Sequence, residues 1–268
     1  AWLWHGRWLR CESAGLCLMS PMSFLKVGLN GGKYDHPYWR PLGTNLIMPM
    51  NSDAASSLQR CSVAAFDVDK TLTTKDCVVP FLREVAGWRW YLGLLSRSLP
   101  LTIAVVRRDR DKVKNLVTQA ALRGRSSTHV EIVAQRFAER VFPAWLRSDT
   151  VDRLHWHKAQ GHRVVLVSAS YRLYLVHLAA QLGCTAVLAT ECEMTPDGLF
   201  TGSLLGENCR GVEKERRLRH YFATEGLTAV NLFAYGDSKG DDHMLAMADH
   251  PLRIDHLPVT VAPEMSMQ

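Results

Sequence analysis

The 268-residue sequence has no C-x-x-C pair, no dense Lys/Arg block interleaved with aromatics, no internal repeat and no low-complexity tract. It also lacks an uninterrupted apolar run of the roughly 18 residues or more that a membrane-spanning helix needs. Each absence excludes something. Seven cysteines, an odd number and widely scattered, make neither a disulfide framework nor a zinc site. They point to reduced thiols and a cytoplasmic location. Without a basic and aromatic stripe there is no sign of a nucleic-acid partner. Gly31-Gly32-Lys33 lacks the upstream glycine spacing and the Ser/Thr of a phosphate loop. His155, His157 and His162 fit no zinc spacing, and with Gly161 following they are expected as exposed histidines at a helix end.

What is present is the composition of a globular protein: 47% apolar and 22% charged residues, enough chain for one large domain or two modest ones. The formal charge of +6, spread over 32 basic residues, favours anionic partners only mildly. Residues 1–60 read differently from the rest. Four tryptophans, Gly31-Gly32, Pro37 and Pro41 show no sustained helical or strand period. Arg7 and Arg10 before an apolar stretch resemble a signal peptide, but Pro21 interrupts the stretch and no cleavage site follows. This region is expected to be a poorly structured leader and linker, with Met48 or Met50 near the functional start.

Residues 78–150 are helical in pattern, with apolar residues at helix-like intervals over 80–97, 111–123 and 130–146. Gly124 to Ser127 separates two of these helices, and Pro143 is expected to interrupt the last. Residues 91–106 are apolar enough to raise a membrane question. Arg97, Pro100 and Arg107-Arg108 break or end the stretch, so a buried helix is expected, with membrane contact the less favoured reading. From 163 onward strands and helices alternate, which implies parallel βαβ units in a doubly wound α/β sheet.

The chemistry gathers at strand ends. The run ending Ala64-Ala65-Phe66 changes abruptly to Asp67-Val68-Asp69-Lys70-Thr71, placing two carboxylates where open α/β sheets bind ligands. A second apolar strand ends in Ser168-Ala169-Ser170, Lys214 opens a basic helical pattern, and a third strand ends in Gly236-Asp237-Ser238-Lys239-Gly240-Asp241. Each alone is uninformative: a lone D-x-D is more often a solvated turn, and a lysine on a helix is ordinary. Together and in this order they resemble the four motifs of the haloacid dehalogenase superfamily, and the helical insert after the first motif resembles the small cap of its subfamily IB, the phosphoserine phosphatase-like branch. The expected division is a catalytic core of 61–77 and 151–268, Rossmann-like, with a helical cap of 78–150.

The resemblance implies an Mg²⁺-dependent phosphomonoester hydrolase acting through an aspartyl-phosphate. Asp67 is then the nucleophile, Asp69 the general acid and base, and Thr71 the hydroxyl that holds the loop. Thr71, Ser168 and Lys214 bind the phosphate, Lys214 also pairing with the nucleophile. The metal falls to Asp67, Asp237 and the Asp69 carbonyl, with Asp241 orienting its waters. Charge counting supports a cation independently. With Asp69 protonated, three carboxylates and a phosphate dianion bring about five negative charges together, and each pair at about 4 Å costs about 4 kcal/mol at an effective dielectric near 20. All-oxygen ligands favour Mg²⁺ over zinc.

The match thins at the substrate end. Asp76 stands where phosphoserine phosphatases carry an acid for the substrate amine, and it is equally readable as a cap for the helix starting near Val78. Lys112, Lys114 and Arg123 all lie in the region of the cap arginine that clamps the substrate carboxylate. The expected substrate is a small phosphorylated metabolite, phosphoserine-like or otherwise aminated. A lipid head group or lysophospholipid is the alternative, favoured by residues 91–106. A catalytically silent metal- or protein-binding module is the rival of another class, disfavoured because none of the motif residues is lost. The oligomeric state is not legible.

Overall fold

A computed structural model describes residues 61–263, so the expectations for residues 1–60 lie outside the described residues. Six strands form one sheet in the order β4-β3-β2-β1-β5-β6. They are β1 (Cys61–Phe66), β2 (Arg163–Tyr171), β3 (Ala186–Met194), β4 (Phe200–Leu205), β5 (Val230–Gly236) and β6 (His250–Arg253). All neighbours are parallel except β4, which returns antiparallel beside β3. The expected α/β doubly wound sheet is therefore present. The chain builds outward from β1 through β2 to β4, then crosses back to place β5 on the other side. That reversal beside β1 is the topological switch point of the sheet, where a crevice opens at the carboxyl ends of the strands.

The strands read as continuous apolar runs because both sheet faces are covered. Ala64, Phe66, Val164 and Leu166 pack into one cluster, while Val63, Ala65, Val165 and Val167 pack into another. Alternation along each strand divides its side chains between the two cores.

Six helices lie between β1 and β2, of which the first five are α1 (Val78–Ala86), α2 (Arg89–Leu95), α3 (Ser98–Val106), α4 (Arg110–Leu122) and α5 (Ser127–Trp145). Where the sequence led us to expect one helix over 80–97, the chain breaks at Gly87, whose φ of +58° ends α1. Pro143 does not interrupt α5, which continues to Trp145. The proline deletes only one backbone donor within the last turn, so little helix remains to be lost. The segment is tied to the sheet through the β3–β4 hairpin, where Gly124 N donates to Phe200 O and Ser127 N to Gly198 O, each at 2.8 Å. Gln119 on α4 and Arg123 just after it crowd Gly202 of β4 so closely that a Cβ there would come to 3.0 Å from both.

The largest departure concerns residues 91–106. They were expected to be a buried helix, but of α2 and α3 only Trp90 and Ala104 are buried. Leu95 is 71% exposed, Leu99 72% and Val106 76%. The physical reason is that α3 is apolar on every side, whereas packing against α4 covers only one.

The remaining helices are α6 (Ser148–Ala159), α7 (Arg172–Leu182), α8 (Val212–Thr224) and α9 (Asp242–Ala246). His155 on α6 is exposed, as expected, but His157 is fully buried and His162 partly so. Hydrogen bonding makes that burial possible. Arg153 Nη1 donates to the Tyr235 hydroxyl at 3.0 Å, and that hydroxyl is hydrogen-bonded to His157 Nε2 at 2.7 Å. His157 Nδ1 is hydrogen-bonded to His162 Nδ1 at 2.8 Å. A neutral imidazole satisfied at both nitrogens costs little to bury.

Candidate active site

The crevice is built from the strand ends. Pairing of Phe66 with Tyr235 and with Leu166 aligns β1, β5 and β2, and Asp67 N extends the ladder by donating to Tyr235 O at 2.9 Å. The chain then turns tightly: Leu72 N and Thr73 N both donate to Val68 O at 2.9 Å. Lys70 takes a φ of +62° in that turn. A residue with a Cβ is rarely left-handed, so the surrounding bonds hold it there. The loop is clamped from the end of the helical segment, where Arg147 N donates to Leu72 O at 2.9 Å and Thr150 Oγ1 to Thr71 O at 2.9 Å.

Six of the sequence candidates meet at the crevice. Lys214, in the first turn of α8 and 1% exposed, donates to Asp67 Oδ1 at 2.5 Å and to Asp241 Oδ1 at 2.6 Å. Thr71 Oγ1 donates to the other oxygen of Asp67 at 3.3 Å. Asp67, Asp237 and Asp241 present carboxylate oxygens within 4.8 Å of one another. Asp69 lies alongside, its Oδ1 accepting from Cys77 N at 2.9 Å and its Oδ2 from the Ser170 hydroxyl.

The loop after β5 is shaped around Asp241. Its Oδ2 accepts from Ser238 N and Ser238 Oγ, both at 3.0 Å, and the serine hydroxyl in turn accepts from Gly240 N at 3.2 Å. A Cβ on Gly236 would stand 2.5 Å from Asp241 Cβ, so only glycine lets the carboxylate sit so close to the strand.

Burial and mutual charge set the protonation behaviour. Burial raises the Asp67 carboxyl; Lys214 opposes the rise, and Asp241 and Asp69 add to it. Burial, with the Asp76 charge behind it, lifts Asp69 to about 6. Asp237 is raised by burial and by Asp241. Although burial acts against it, Asp241 is held below the usual carboxylate range by Lys214. Burial also acts to lower Lys214, but Asp67 and Asp241 keep it above the ordinary lysine value. One lysine cannot balance this many carboxylates. The surplus negative charge, the close spacing and the purely oxygen donor set fit a hard divalent cation such as Mg²⁺.

The other candidates are placed differently. Ser168 is buried beside Asp69's serine partner, its Oγ accepting from Ser170 N at 3.1 Å. Asp76 is exposed and accepts from Val78 N at 2.9 Å, a turn at the entry to α1. Lys112 and Arg123 are exposed. Lys114 reaches from α4 to the Ala169 carbonyl, to Thr190 Oγ1 at 3.0 Å and to Asn208 Oδ1 at 2.7 Å. Burial lowers it to about 8.

Several supporting groups escaped the sequence reading. The Ser170 hydroxyl accepts from Tyr174 at 2.7 Å, which directs its own proton to Asp69. Its place two residues beyond Ser168, at the end of the same strand, was the available signal. Glu213, buried next to Lys214, accepts from Arg216 and Arg217, and Arg217 continues to the Ala189 and Glu207 carbonyls. This network fixes the first turn of α8. Nothing local marks it, since Glu-Lys-Glu-Arg-Arg reads as a solvated helix.

Comparison with known proteins places this crevice in a lineage. Protein CicA of Caulobacter vibrioides is 37% identical over 212 residues, 79% of this chain and 92% of its own. Phosphoserine phosphatase SerB1 of Mycobacterium tuberculosis is 27% identical over 215 residues, 78% of this chain and 70% of its own. A protein of unknown function from Bordetella pertussis shares the fold with a TM-score of 0.60 at 22% identity, over 73% of this chain and 90% of its own. The family model for haloacid dehalogenase-like hydrolases matches residues 64–246, a span that holds every strand end and helix start of the crevice. With that match over more than half its length, the chain belongs to the haloacid dehalogenase-like hydrolase family.

Proposed function

We propose that this phosphatase hydrolyses a small phosphomonoester through a phosphoenzyme formed on Asp67, with Mg²⁺ held by Asp67, Asp237 and the Asp69 carbonyl and its waters oriented by Asp241. One observation carries the reading. A buried carboxylate at the end of β1 is bonded to a buried lysine, while a second carboxylate two residues on is held by Ser170 with its proton affinity raised. When bound, the cation would neutralise charge on the phosphate and its neighbouring carboxylates.

Attack by an Asp67 oxygen on phosphorus forms the acyl phosphate and breaks the bond to the ester oxygen. Protonated Asp69 gives its proton to that leaving oxygen. The resulting Asp69 carboxylate then takes a proton from water, which attacks phosphorus and releases inorganic phosphate and the Asp67 carboxylate. A carboxyl raised to about 6 can serve in both directions near neutral pH. Lys214 holds the nucleophile in place and meets the phosphate, with Ser168 as a further donor and Thr71 keeping the loop closed.

The substrate we propose is phosphoserine-like or another aminated phosphoester. Asp76 supports this, being exposed yet near enough for its charge to act on Asp69, so it can meet a cation beside the phosphate. The name of the mycobacterial relative agrees. A lipid head group is the second reading, favoured by the exposed apolar side chains of α2 and α3. The deciding experiment is a panel of phosphoamino acids, phosphoethanolamine, lysophospholipid phosphates and an aryl phosphate, each with Mg²⁺ and with an Asp67→Asn control. Activity confined to aminated soluble esters supports the first reading. Activity only on lipid phosphates supports the second, and turnover surviving in Asp67→Asn overturns the mechanism.

A further inference from the structure

The α2–α3 face has an arrangement that catalysis does not use. Trp88, Leu92, Leu95, Leu99, Val105 and Val106 all project into solvent, each at least 53% exposed. Residues 85–108 hold four arginines and not one Asp or Glu. Arg89, Arg107 and Arg108, with Arg110 just beyond, are exposed and have no carboxylate partner among the described residues. The nearest acids are already engaged: Asp109 accepts from Lys112 N at 2.9 Å as the cap of α4, and Asp111 accepts from Asn208 Nδ2 at 2.7 Å.

The hairpin is nevertheless firmly held from behind. Trp90 is buried, its Nε1 donating to Val117 O at 3.3 Å, and Gly93 lies so near Ala120 that a Cβ would stand 2.9 Å from its carbonyl oxygen. Arg97 Nε donates to Gln119 Oε1 at 2.9 Å. Six large apolar side chains left in water on a well-anchored support mark contact with another body.

We infer that the α2–α3 face docks on an anionic lipid surface. No described helix is long and apolar enough to cross a membrane, so the geometry is one of lying in the interface. Apolar side chains around α2 and α3 enter the acyl boundary, tryptophan and tyrosine settle at head-group level, and the arginines reach lipid phosphates. Charge decides against a second copy of the chain. Two such faces meeting symmetrically would bring two sets of unpaired arginines together, outnumbering Asp109 and Asp111, which already accept hydrogen bonds within their own chain. A lipid surface supplies apolar depth and negative charge side by side at every point. This docking stands apart from the choice of substrate, since its readout is binding and needs no turnover.

The test is flotation of the full chain with vesicles of phosphatidylcholine alone and of equal parts phosphatidylcholine and phosphatidylglycerol. The expected result is binding to the anionic vesicles that weakens as salt rises. A Leu95→Asp/Leu99→Asp variant should bind about tenfold more weakly or worse, and so should Arg107→Glu/Arg108→Glu. Both should keep the native melting temperature and the hydrolysis rate on a soluble aryl phosphate. Absence of binding by natively folded protein would overturn the inference, as would equal binding to neutral vesicles. Concentration-dependent dimers that the Leu95/Leu99 variant abolishes, without vesicle binding, would assign the face to a second copy instead.

Discussion

The carboxylate crevice and the α2–α3 face depart from ordinary burial in opposite directions. In the crevice Asp67, Asp241 and Lys214 are almost wholly withdrawn from water, whereas on α2 and α3 leucines and valines stand in it. Burying charge is costly unless it is paired, and exposing a large apolar side chain forgoes about 1.5–3 kcal/mol of transfer free energy. Both arrangements persist because the fold elsewhere holds them: Thr71, Ser238, Ser170 and Glu213 around the crevice, Gly93 and Trp90 behind the hairpin. The lesson is that such departures mark where the molecule meets something outside itself. Under the proposals above, that is a phosphate and a cation for the crevice and a lipid surface for α2 and α3.

If the comparison holds, equal surgery at the two places should have opposite outcomes. The largest effect is expected at the nucleophile. Asp67→Asn should lower kcat by at least about a thousandfold, roughly 4 kcal/mol of transition-state stabilisation, in steady-state assays. Chelation of Mg²⁺ should have an effect of similar size, reversed on adding the metal back. Unfolding of Asp67→Asn should occur within about 1 kcal/mol of the parent, because the lost ion pair is offset by relief of carboxylate crowding. A collapse in stability with intact activity would break the comparison from the crevice side.

Gly236→Ala should come next. The added methyl meets Asp241 Cβ at 2.5 Å and must push the carboxylate away from Lys214. A loss of about 1–3 kcal/mol in stability is expected from overpacking, with more Mg²⁺ needed for half-maximal activity. Unchanged metal affinity would show that Asp241 can yield without cost.

The buried histidine sharpens the comparison from a third place, because it is a polar group that the fold satisfies by itself. Burial, reinforced by His162, Arg153 and His250, holds His157 at about 3 instead of 6.5. The unfolded chain therefore takes up a proton below pH 6.5 that the fold refuses until about pH 3. This contribution to stability is fully present above 6.5 and is lost as pH falls, by up to about 1.4 kcal/mol per unit. Urea unfolding across that range should show a shallower acid limb in His157→Phe than in the parent, although the variant starts from lower stability. An unchanged limb would move the acid sensitivity elsewhere.

The smallest effect is expected on the hairpin. Leu95→Ser and Leu99→Ser should each alter stability by less than about 0.5 kcal/mol in a melting experiment, since both side chains are already in water. A destabilisation of several kcal/mol would mean that the face is covered within the chain.

Much of the crevice was legible in the sequence because its residues sit where local patterns end. An apolar run that stops at Asp67, at Ser168 or at Asp237 announces a strand terminus, and strand termini of a doubly wound sheet converge. Ser170 was harder to choose, since Ser168 and Ser170 close the same strand and only the Asp69 carboxylate distinguishes them. Lys114 could not be separated from Lys112 and Arg123 by spacing alone. What singles it out is contact with the Ala169 carbonyl, Thr190 and Asn208, which are distant in the chain.

The sequence by itself determined the alternation of strands and helices, the order of the chemical groups and the surplus of negative charge that a cation must answer. Those follow from period, punctuation and charge, which are local or additive properties. Only the tertiary structure decided that Lys214 lies between Asp67 and Asp241, that His157 is buried against Tyr235, and that α3 is exposed. The reason is physical. Hydropathy records what a segment could bury, whereas burial depends on how much surface the neighbouring elements offer. For a helix apolar all round, α4 offers one side.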